Sequence, residues 1–136
     1  MAKAMFEAGA NVVYQVAGGT GLGVIQAAKE AGKFAIGVDT DQDGVAPGAV
    51  LTSMVKRTDV AVETVMKDYA GKEFPGGKTV TLGLAQDGVG LSPMKYTKEK
   101  IPAATLAKVE ELKKKILSGD VTVWNVVDKG YPSFFK

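Results

Sequence analysis

The sequence of 136 residues contains neither cysteine nor histidine. Without cysteine there are no disulfide bonds and no thiol nucleophiles, and without either residue the usual ligands of zinc are missing. Histidine is also the side chain that ordinarily titrates near neutral pH, so general acid–base catalysis lacks its usual group. These absences predict a protein that is not an enzyme, has no catalytic residues and holds neither a metal nor a cofactor.

Strong charge of one sign and long apolar runs are missing as well. The net charge is only +2, and the lysines are dispersed or lie on predicted helices, so nucleic acid is not an expected partner. No apolar run approaches the roughly 20 residues of a transmembrane helix. The first residues, MAKAMFEAG, lack the apolar core of a signal peptide, and the sequence therefore makes no prediction of localisation. With 46% hydrophobic and 24% charged residues, the chain has the composition of one globular α/β domain, residues 1–136.

The stretch from Gly9 to Asp41 carries the most information. Its pattern predicts a strand, a glycine-rich loop, a helix and a second strand: Val12–Val16, Ala17–Gly21, Gly21–Ala31 and Phe34–Val38. Such a βαβ unit has parallel strands and a right-handed crossover. Ligands of parallel sheets bind outside the carboxyl ends of the strands, where the glycine loop and Asp39 both lie.

The glycine loop does not match a nucleotide-binding motif. Gly18, Gly21 and Gly23 give G-x-x-G-x-G, which differs from the dinucleotide fingerprint, and no G-K-S or G-K-T follows as in a P-loop. Two interpretations stay open. The backbone N–H groups near the helix N-terminus are able to donate to hydroxyls or anions, or the glycines serve only a tight turn and close helix–strand packing.

The remaining pattern completes an α/β fold. It predicts a mostly parallel sheet of four or five strands with helices on both faces. The further elements are strands at Ala49–Val55, Thr79–Leu84 and Val89–Leu91, helices at Asp59–Tyr69 and Ala103–Leu117, and an extended stretch at Asp120–Val127. Tyr14 is expected in the core because it lies inside an apolar strand, and the aromatic tail residues Trp124, Phe134 and Phe135 are expected to pack on the core.

Five ordered motifs resemble the basic membrane protein family. They are YQVAGGTGLGVIQAAKE, AIGVDTDQ, VLTSMVKRTDVAV, GLAQDGVGLSP and the closing IP…LKKKILSGDVTV. Members are substrate-binding lipoproteins of ABC importers, and the purine nucleoside receptors are one branch. The resemblance implies part of a type I periplasmic-binding-protein fold, in which two lobes close on a nucleoside. It extends over the C-terminal portion of the family only, so we expect this chain to be a truncated domain without the first lobe segment.

The resemblance also implies a partial ribose site. Gly18 and Gly19 match the loop that approaches the ribose, Asp39 matches the acidic residue that accepts its hydroxyls, and Lys56 matches the lysine beside that residue. A carboxylate is able to accept two vicinal hydroxyls, and a nearby lysine keeps it ionised. Asp41 and Gln42 are further candidate contacts, with the alternative that they cap the following turn.

Three functions are compatible with these observations. The first is a fragment of a nucleoside-binding ABC-importer protein, whose partners are a purine nucleoside or another ribose-bearing molecule and, in full-length relatives, the ABC permease. The second is an oligomeric structural or interaction module that has lost ligand binding. The third, a nucleotide-using doubly wound enzyme, is disfavoured by the glycine spacing. In each case an incomplete sheet would expose apolar surface, which predicts a homo-oligomer.

Overall fold

The computed structural model describes residues 1–74 and 76–134. Their contacts group them into two compact units, Met1–Pro102 and the residues from Ala103 onward. The single domain of residues 1–136 stays a prediction.

The first unit is an α/β structure built around one sheet. In chain order its elements are α1 (Ala2–Glu7), β1 (Val12–Tyr14), α2 (Gly21–Glu30), β2 (Phe34–Asp39), β3 (Val50–Lys56), α3 (Thr58–Ala70) and β4 (Val89–Leu91). The sheet order is β1-β2-β3-β4. Strands β1, β2 and β3 are parallel, and β4 runs antiparallel to β3. The predicted fold class, α/β with a mostly parallel sheet of four or five strands, is confirmed.

The core lies between one face of the sheet and helices α1 and α2. Val13 and Ala35 are register partners on neighbouring strands, so their side chains share a face. Both belong to a buried cluster with Phe6 of α1 and Ile25 of α2. Glycine 32, with φ of 63°, ends the crossover helix in a left-handed conformation and returns the chain to β2. The βαβ unit therefore forms as its hydrophobic periodicity predicts.

The other face of β1 is exposed. Val12 is 42% and Tyr14 is 49% exposed, because strand residues alternate between faces and only the Val13 face meets the helices. The prediction that Tyr14 is a core residue is wrong for this reason. Helix α3 likewise buries none of its residues, and it exposes an apolar face formed by Val62, Met66 and Tyr69.

The segment Thr79–Leu84 is not a strand. Residues 78–83 have no regular structure, and a 3-10 turn follows at Leu84–Gln86. Local hydrogen bonds close this loop on itself: Gly83 N–H donates to Gln86 Oε1 at 3.0 Å, and Gly88 N–H donates to the Gly83 carbonyl at 2.8 Å. These bonds occupy backbone groups that a sheet ladder would need, so the predicted strand is wrong and β4 takes the fourth place in the sheet.

The second unit contains α4 (Ala103–Ser118) and α5 (Val126–Lys129). Helix α4 confirms the predicted helix Ala103–Leu117. The predicted extended stretch Asp120–Val127 is wrong at its end, because α5 begins at Val126, and no strand forms among its residues, all of which the structure describes.

Of the tail aromatics, Trp124 donates its indole N–H to the Gly130 carbonyl at 2.7 Å, and Phe134 is 84% exposed. Phe135 lies outside the described residues. Among the helices that the structure describes, none has the length and apolar character needed to cross a bilayer.

Candidate ligand site at the carboxyl edge of the sheet

All the predicted site residues lie at one edge of the sheet. Because β1, β2 and β3 are parallel, their carboxyl ends meet there. The loop with Gly18 and Gly19 follows β1, Asp39 is the last residue of β2, and Lys56 is the last residue of β3. At this edge and elsewhere in the described ranges, 1–74 and 76–134, no group of three or more acidic residues is placed to hold a metal ion.

Asp39 occupies an uncommon backbone conformation. Its φ is 69°, in the left-handed region that few residues other than glycine adopt, although aspartate and asparagine tolerate it best. The Thr40 N–H donates to the Val38 carbonyl at 2.8 Å, which closes a three-residue γ-turn centred on Asp39. Such a conformation costs about 1–3 kcal/mol and persists where the surrounding structure imposes it, often at a functional site. The turn directs the carboxylate away from the regular alternation of β2.

Asp39 and Lys56 are in direct contact. Lys56 Nζ lies 2.7 Å from Asp39 Oδ1, and the two side chains are 58% and 46% exposed, respectively. The Oδ1 atom itself is buried, and the Lys56 ammonium group is the charged partner that faces it. The polar contact with Asp39 and then the negative charge of its carboxylate raise the pKa of Lys56, and the Tyr14 phenol adds a smaller contribution. The predicted ion pair is therefore present.

The glycines of the loop have different roles. Gly18 has a φ of 53°, so the turn requires a residue that adopts the left-handed region. Gly21 is required by packing, since a Cβ there would collide with the side-chain amide of Gln15. Gly19 meets neither condition, because its φ is ordinary and a Cβ would have no atom within 4 Å. Both Gly18 and Gly19 are exposed, and the space outside this loop is open to a ligand.

A contact between buried Gln15 and half-buried Gln42, which the sequence analysis did not identify, connects this loop with the Asp39 turn. Gln15, 3% exposed, follows β1 directly, and its Nε2 donates to Gln42 Oε1 at 2.9 Å. At one end of the pair, Gln15 Oε1 accepts the Ala17 N–H at 3.1 Å. At the other end, Gln42 Oε1 accepts the Val38 N–H at 3.0 Å. A polar side chain between an apolar strand and a glycine loop is the signal that could have indicated Gln15.

Asp41 and Gln42 support the turn. Asp41 Oδ1 accepts the Asp43 N–H at 2.9 Å, as expected of a side chain that caps a turn. The Gln42 side chain reaches back to β2, as described above, and its backbone N–H donates to Ser53 Oγ at 3.0 Å. The structure thus favours the capping alternative for Asp41, whereas the Gln42 side chain bonds back to β2 and to Gln15 and does not cap the following turn.

A second buried network fixes the chain beyond this turn. Asp43, 2% exposed, accepts hydrogen bonds from Ser92 Oγ at 2.7 Å and from the Lys95 N–H at 3.1 Å. Ser92 Oγ in turn accepts the Ser53 N–H at 2.8 Å. The loop that follows Asp39 is therefore tied both to β3 and to the segment after β4.

This chain is similar to a known sequence family, to curated proteins and to solved structures. The model of the family described as ABC transporter substrate-binding protein PnrA-like matches residues 1–125. The CD4+ T-cell-stimulating antigen of Listeria monocytogenes is 40% identical to this chain over 139 residues, which cover 90% of this chain and 38% of the antigen. The ABC transporter nucleoside-binding protein BmpA of Lactococcus lactis is also 40% identical, over 144 residues, with coverage of 90% and 38%.

Among solved structures, the solute-binding protein of an ABC transporter system from Aeropyrum pernix K1 is similar, with a TM-score of 0.77 and 34% identity. The alignment covers 90% of this chain and 42% of that protein. The chain thus spans about 38% of the length of the two curated relatives.

Proposed function

Because this chain belongs to the PnrA-like family of ABC transporter substrate-binding proteins, as its motifs predicted, we propose that it binds the ribose of a nucleoside without catalysis. The relative from Lactococcus lactis is named as nucleoside-binding, and this chain is 40% identical to it. Gly18, Gly19, Asp39 and Lys56 are the proposed contact residues, all at the carboxyl edge of the sheet.

The ion pair between Asp39 and Lys56 at the carboxyl edge of the sheet is the observation that carries the proposal. Lys56 Nζ lies 2.7 Å from Asp39 Oδ1, which is buried, so a ligand hydroxyl would first meet the other carboxylate oxygen. The carboxylate is nevertheless accessible, since the Asp39 side chain is 46% exposed. Two vicinal hydroxyls of a ribose match the two oxygens of one carboxylate, while Lys56 donates to a ribose oxygen.

The affinity of this edge for a nucleoside is expected to be weak. Each charge-assisted hydrogen bond contributes only about 1.5–3 kcal/mol, and a ligand on an open edge keeps much of its surface in water. Two such bonds, about 3–6 kcal/mol together, correspond to a dissociation constant between about 6 mM and about 40 µM. With so few groups reaching the base, preference among bases is expected to be small.

Titration calorimetry with adenosine, inosine and free ribose tests this proposal. The informative variant is Asp39→Asn, because asparagine tolerates a φ of 69° as well as aspartate does, whereas alanine would add backbone strain. The lost carboxylate should weaken adenosine binding by about tenfold or more.

The matched control is Asp68→Asn, the same chemical change on α3, which should leave binding unaltered. Adenosine binding that is equally tight in wild type and Asp39→Asn would contradict the proposal. Tight, base-selective binding would show that a second wall, such as another copy of the chain, completes the cleft.

We extend the proposal to the whole protein and its partners. In a longer relative, closure of two lobes on the nucleoside and delivery to an ABC permease would follow, as the family description implies. For the chain by itself, a homo-oligomer is proposed, supported by the exposed apolar face of α3.

The same α3 face favours a second candidate function, an interaction module without a ligand. Val62, Met66 and Tyr69 are 64%, 61% and 67% exposed, an apolar patch typical of contact surfaces. The calorimetric comparison separates the two candidates, because an interaction module would bind none of the three ribose-bearing probes.

A further inference from the structure

We propose that Gln15 and Gln42 are positioning residues that hold the glycine loop and the Asp39 turn in one fixed arrangement. This inference rests on the proposed ribose site, since its purpose is to place the contacts of that site. Neither glutamine is assigned a contact with the ligand. They act through the backbone of the glycine loop and of the Asp39 turn, on either side of the ligand.

The hydrogen bonds form a chain from one strand end to the next. It starts at the Ala17 N–H beside Gly18, passes through both side-chain amides and ends at the Val38 N–H, one residue before Asp39. Gln42 is also tied to β3, because its own N–H donates to Ser53 Oγ. The ends of β1 and β2 are thereby connected through two side chains, and the backbone of Gln42 joins them to Ser53 in the middle of β3.

The orientation of both amides is fixed by the backbone. The Ala17 N–H is a donor only, so the Gln15 atom that faces it is the oxygen. The Val38 N–H is likewise a donor only, so Gln42 also presents its oxygen there. The Gln15 nitrogen must then donate to that same Gln42 oxygen, and flipping either amide would place like groups in contact.

The surroundings leave this pair no room to shift. A Cβ at Gly21 would collide with the Gln15 amide, and a Cβ at Gly37 would lie 2.6 Å from Gln42 Oε1. Gln15 is 3% exposed, so water does not replace a lost partner without rearrangement. The absence of a side chain at Gly21 and at Gly37 provides the space that the two amides occupy.

Two isosteric substitutions have opposite expected outcomes. In Gln42→Glu the oxygen still accepts from Gln15 and from Val38, so the chain of hydrogen bonds persists. In Gln15→Glu a carboxylate oxygen faces the Gln42 oxygen, no donor remains between them, and the connection opens. The carboxylate at position 15 would also be more deeply buried than the one at position 42. Gln42→Met, which removes the shared acceptor without adding a charge, therefore separates the lost hydrogen bond from the effect of a buried charge.

The experiment measures amide hydrogen exchange at Ala17 and Val38 by NMR in the full chain, together with the dissociation constant for adenosine. For Gln15→Glu we expect exchange at Val38 to become about tenfold faster and adenosine to bind about tenfold more weakly, as for one lost hydrogen bond. For Gln42→Glu we expect both quantities to stay within about threefold of wild type, a difference smaller than one hydrogen bond. Asn11→Asp, at an exposed position whose side-chain oxygen would still accept from Lys33, is the control for the added charge.

Lowering the pH should restore the connection in Gln15→Glu. Burial raises the pKa of a glutamate at position 15, and the protonated acid donates an O–H to Gln42. Exchange at Val38 in Gln15→Glu, corrected for the intrinsic rate, should therefore return toward the wild-type value as the pH falls. Gln42→Met removes the shared acceptor at a half-buried position, so exchange at Val38 should be about tenfold faster than in wild type at neutral pH. This variant replaces Gln15→Glu if the latter does not fold.

The outcomes separate this inference from the proposed function. Equal exchange in Gln15→Glu and Gln42→Glu, or no recovery at low pH, overturns the positioning role whatever the ligand data show. If wild type binds no adenosine while the exchange rates differ as expected, the connection between the strand ends is supported and the proposed ribose site is refuted.

Discussion

Replacing Gly37 with alanine tests how closely the strand ends are packed under the candidate site. A Cβ at Gly37 would lie 2.5 Å from Ser53 Oγ, 2.6 Å from Gln42 Oε1 and 3.0 Å from Gln42 Cβ. Ser53 is fully buried, and its hydroxyl accepts the Gln42 N–H, so it does not turn away without breaking that bond. The Gln42 oxygen is held in the same way by two donors.

The magnitude follows from three terms. Overpacking of this kind costs about 1–3 kcal/mol, and one disturbed hydrogen bond adds about 1 kcal/mol. The smaller chain entropy of alanine in the unfolded state offsets about 0.4–1 kcal/mol, because the φ of Gly37 is one that alanine adopts. The free energy of unfolding should therefore fall by roughly 1–3 kcal/mol in a urea titration followed by circular dichroism.

Gly90→Ala is the matched control. Gly90 lies in β4 of the same sheet, and a Cβ there would have no atom within 4 Å. Its free energy of unfolding should equal or slightly exceed that of wild type, by up to about 1 kcal/mol. If Gly37→Ala proves as stable as Gly90→Ala, the strand ends are not packed as described and the argument for the glutamine pair loses its steric support.

Three further predictions concern other features. Ser92→Ala removes a hydroxyl that donates to buried Asp43, so the free energy of unfolding in urea should fall by about 1–3 kcal/mol. An NMR titration should place the pKa of Lys56 above its ordinary value. The attraction to Asp39 is then fully present at neutral pH and is lost as the pH rises through the raised pKa, and Asp39→Asn should lower that pKa. Light scattering in the micromolar range should give a mass above the 14.2 kDa of one chain, and Met66→Glu on the exposed α3 face should reduce it.

Each of these has a control or a contradicting result. Ser118→Ala removes an exposed hydroxyl and should change stability by less than about 0.5 kcal/mol. A Lys56 pKa that does not respond to Asp39→Asn would show that the ion pair is absent in solution. Asn11→Asp adds the same charge as Met66→Glu outside α3, and an equal loss of mass in both would point to general charge repulsion rather than to that helical face.

Much of the fold was accessible from the sequence because it depends on local periodicity. The βαβ unit was predicted within one or two residues at its strand and helix ends, and the motif around Asp39 and Lys56 led to the observed ion pair. Tyr14 was placed wrongly, because an apolar strand does not reveal whether its second face is covered. Thr79–Leu84 has strand-forming residues, but the hydrogen bonds of the following loop override that preference.

The contact between Gln15 and Gln42 could not be predicted from the sequence for a different reason. Gln15 and Gln42 are 27 positions apart in sequence, and their contact exists only once the carboxyl ends of β1 and β2 are side by side. No spacing rule for helices or strands brings them together. Polar residues next to strand ends therefore predict such a contact only after the order of the strands in the sheet is known.

The left-handed conformation of Asp39 has a consequence for a library of all replacements at that position. Selection for folded protein would favour glycine and asparagine and would reject valine, isoleucine and threonine, since β-branched side chains tolerate a φ of 69° poorly. Selection for adenosine binding would retain aspartate alone, because it combines that backbone preference with two acceptor oxygens. Glutamate would fail both selections despite its charge, since its longer side chain moves the carboxylate and lacks the tolerance of aspartate. The difference between the two enrichment profiles would thus measure, at one residue, how much of the sequence is set by the backbone and how much by the ligand.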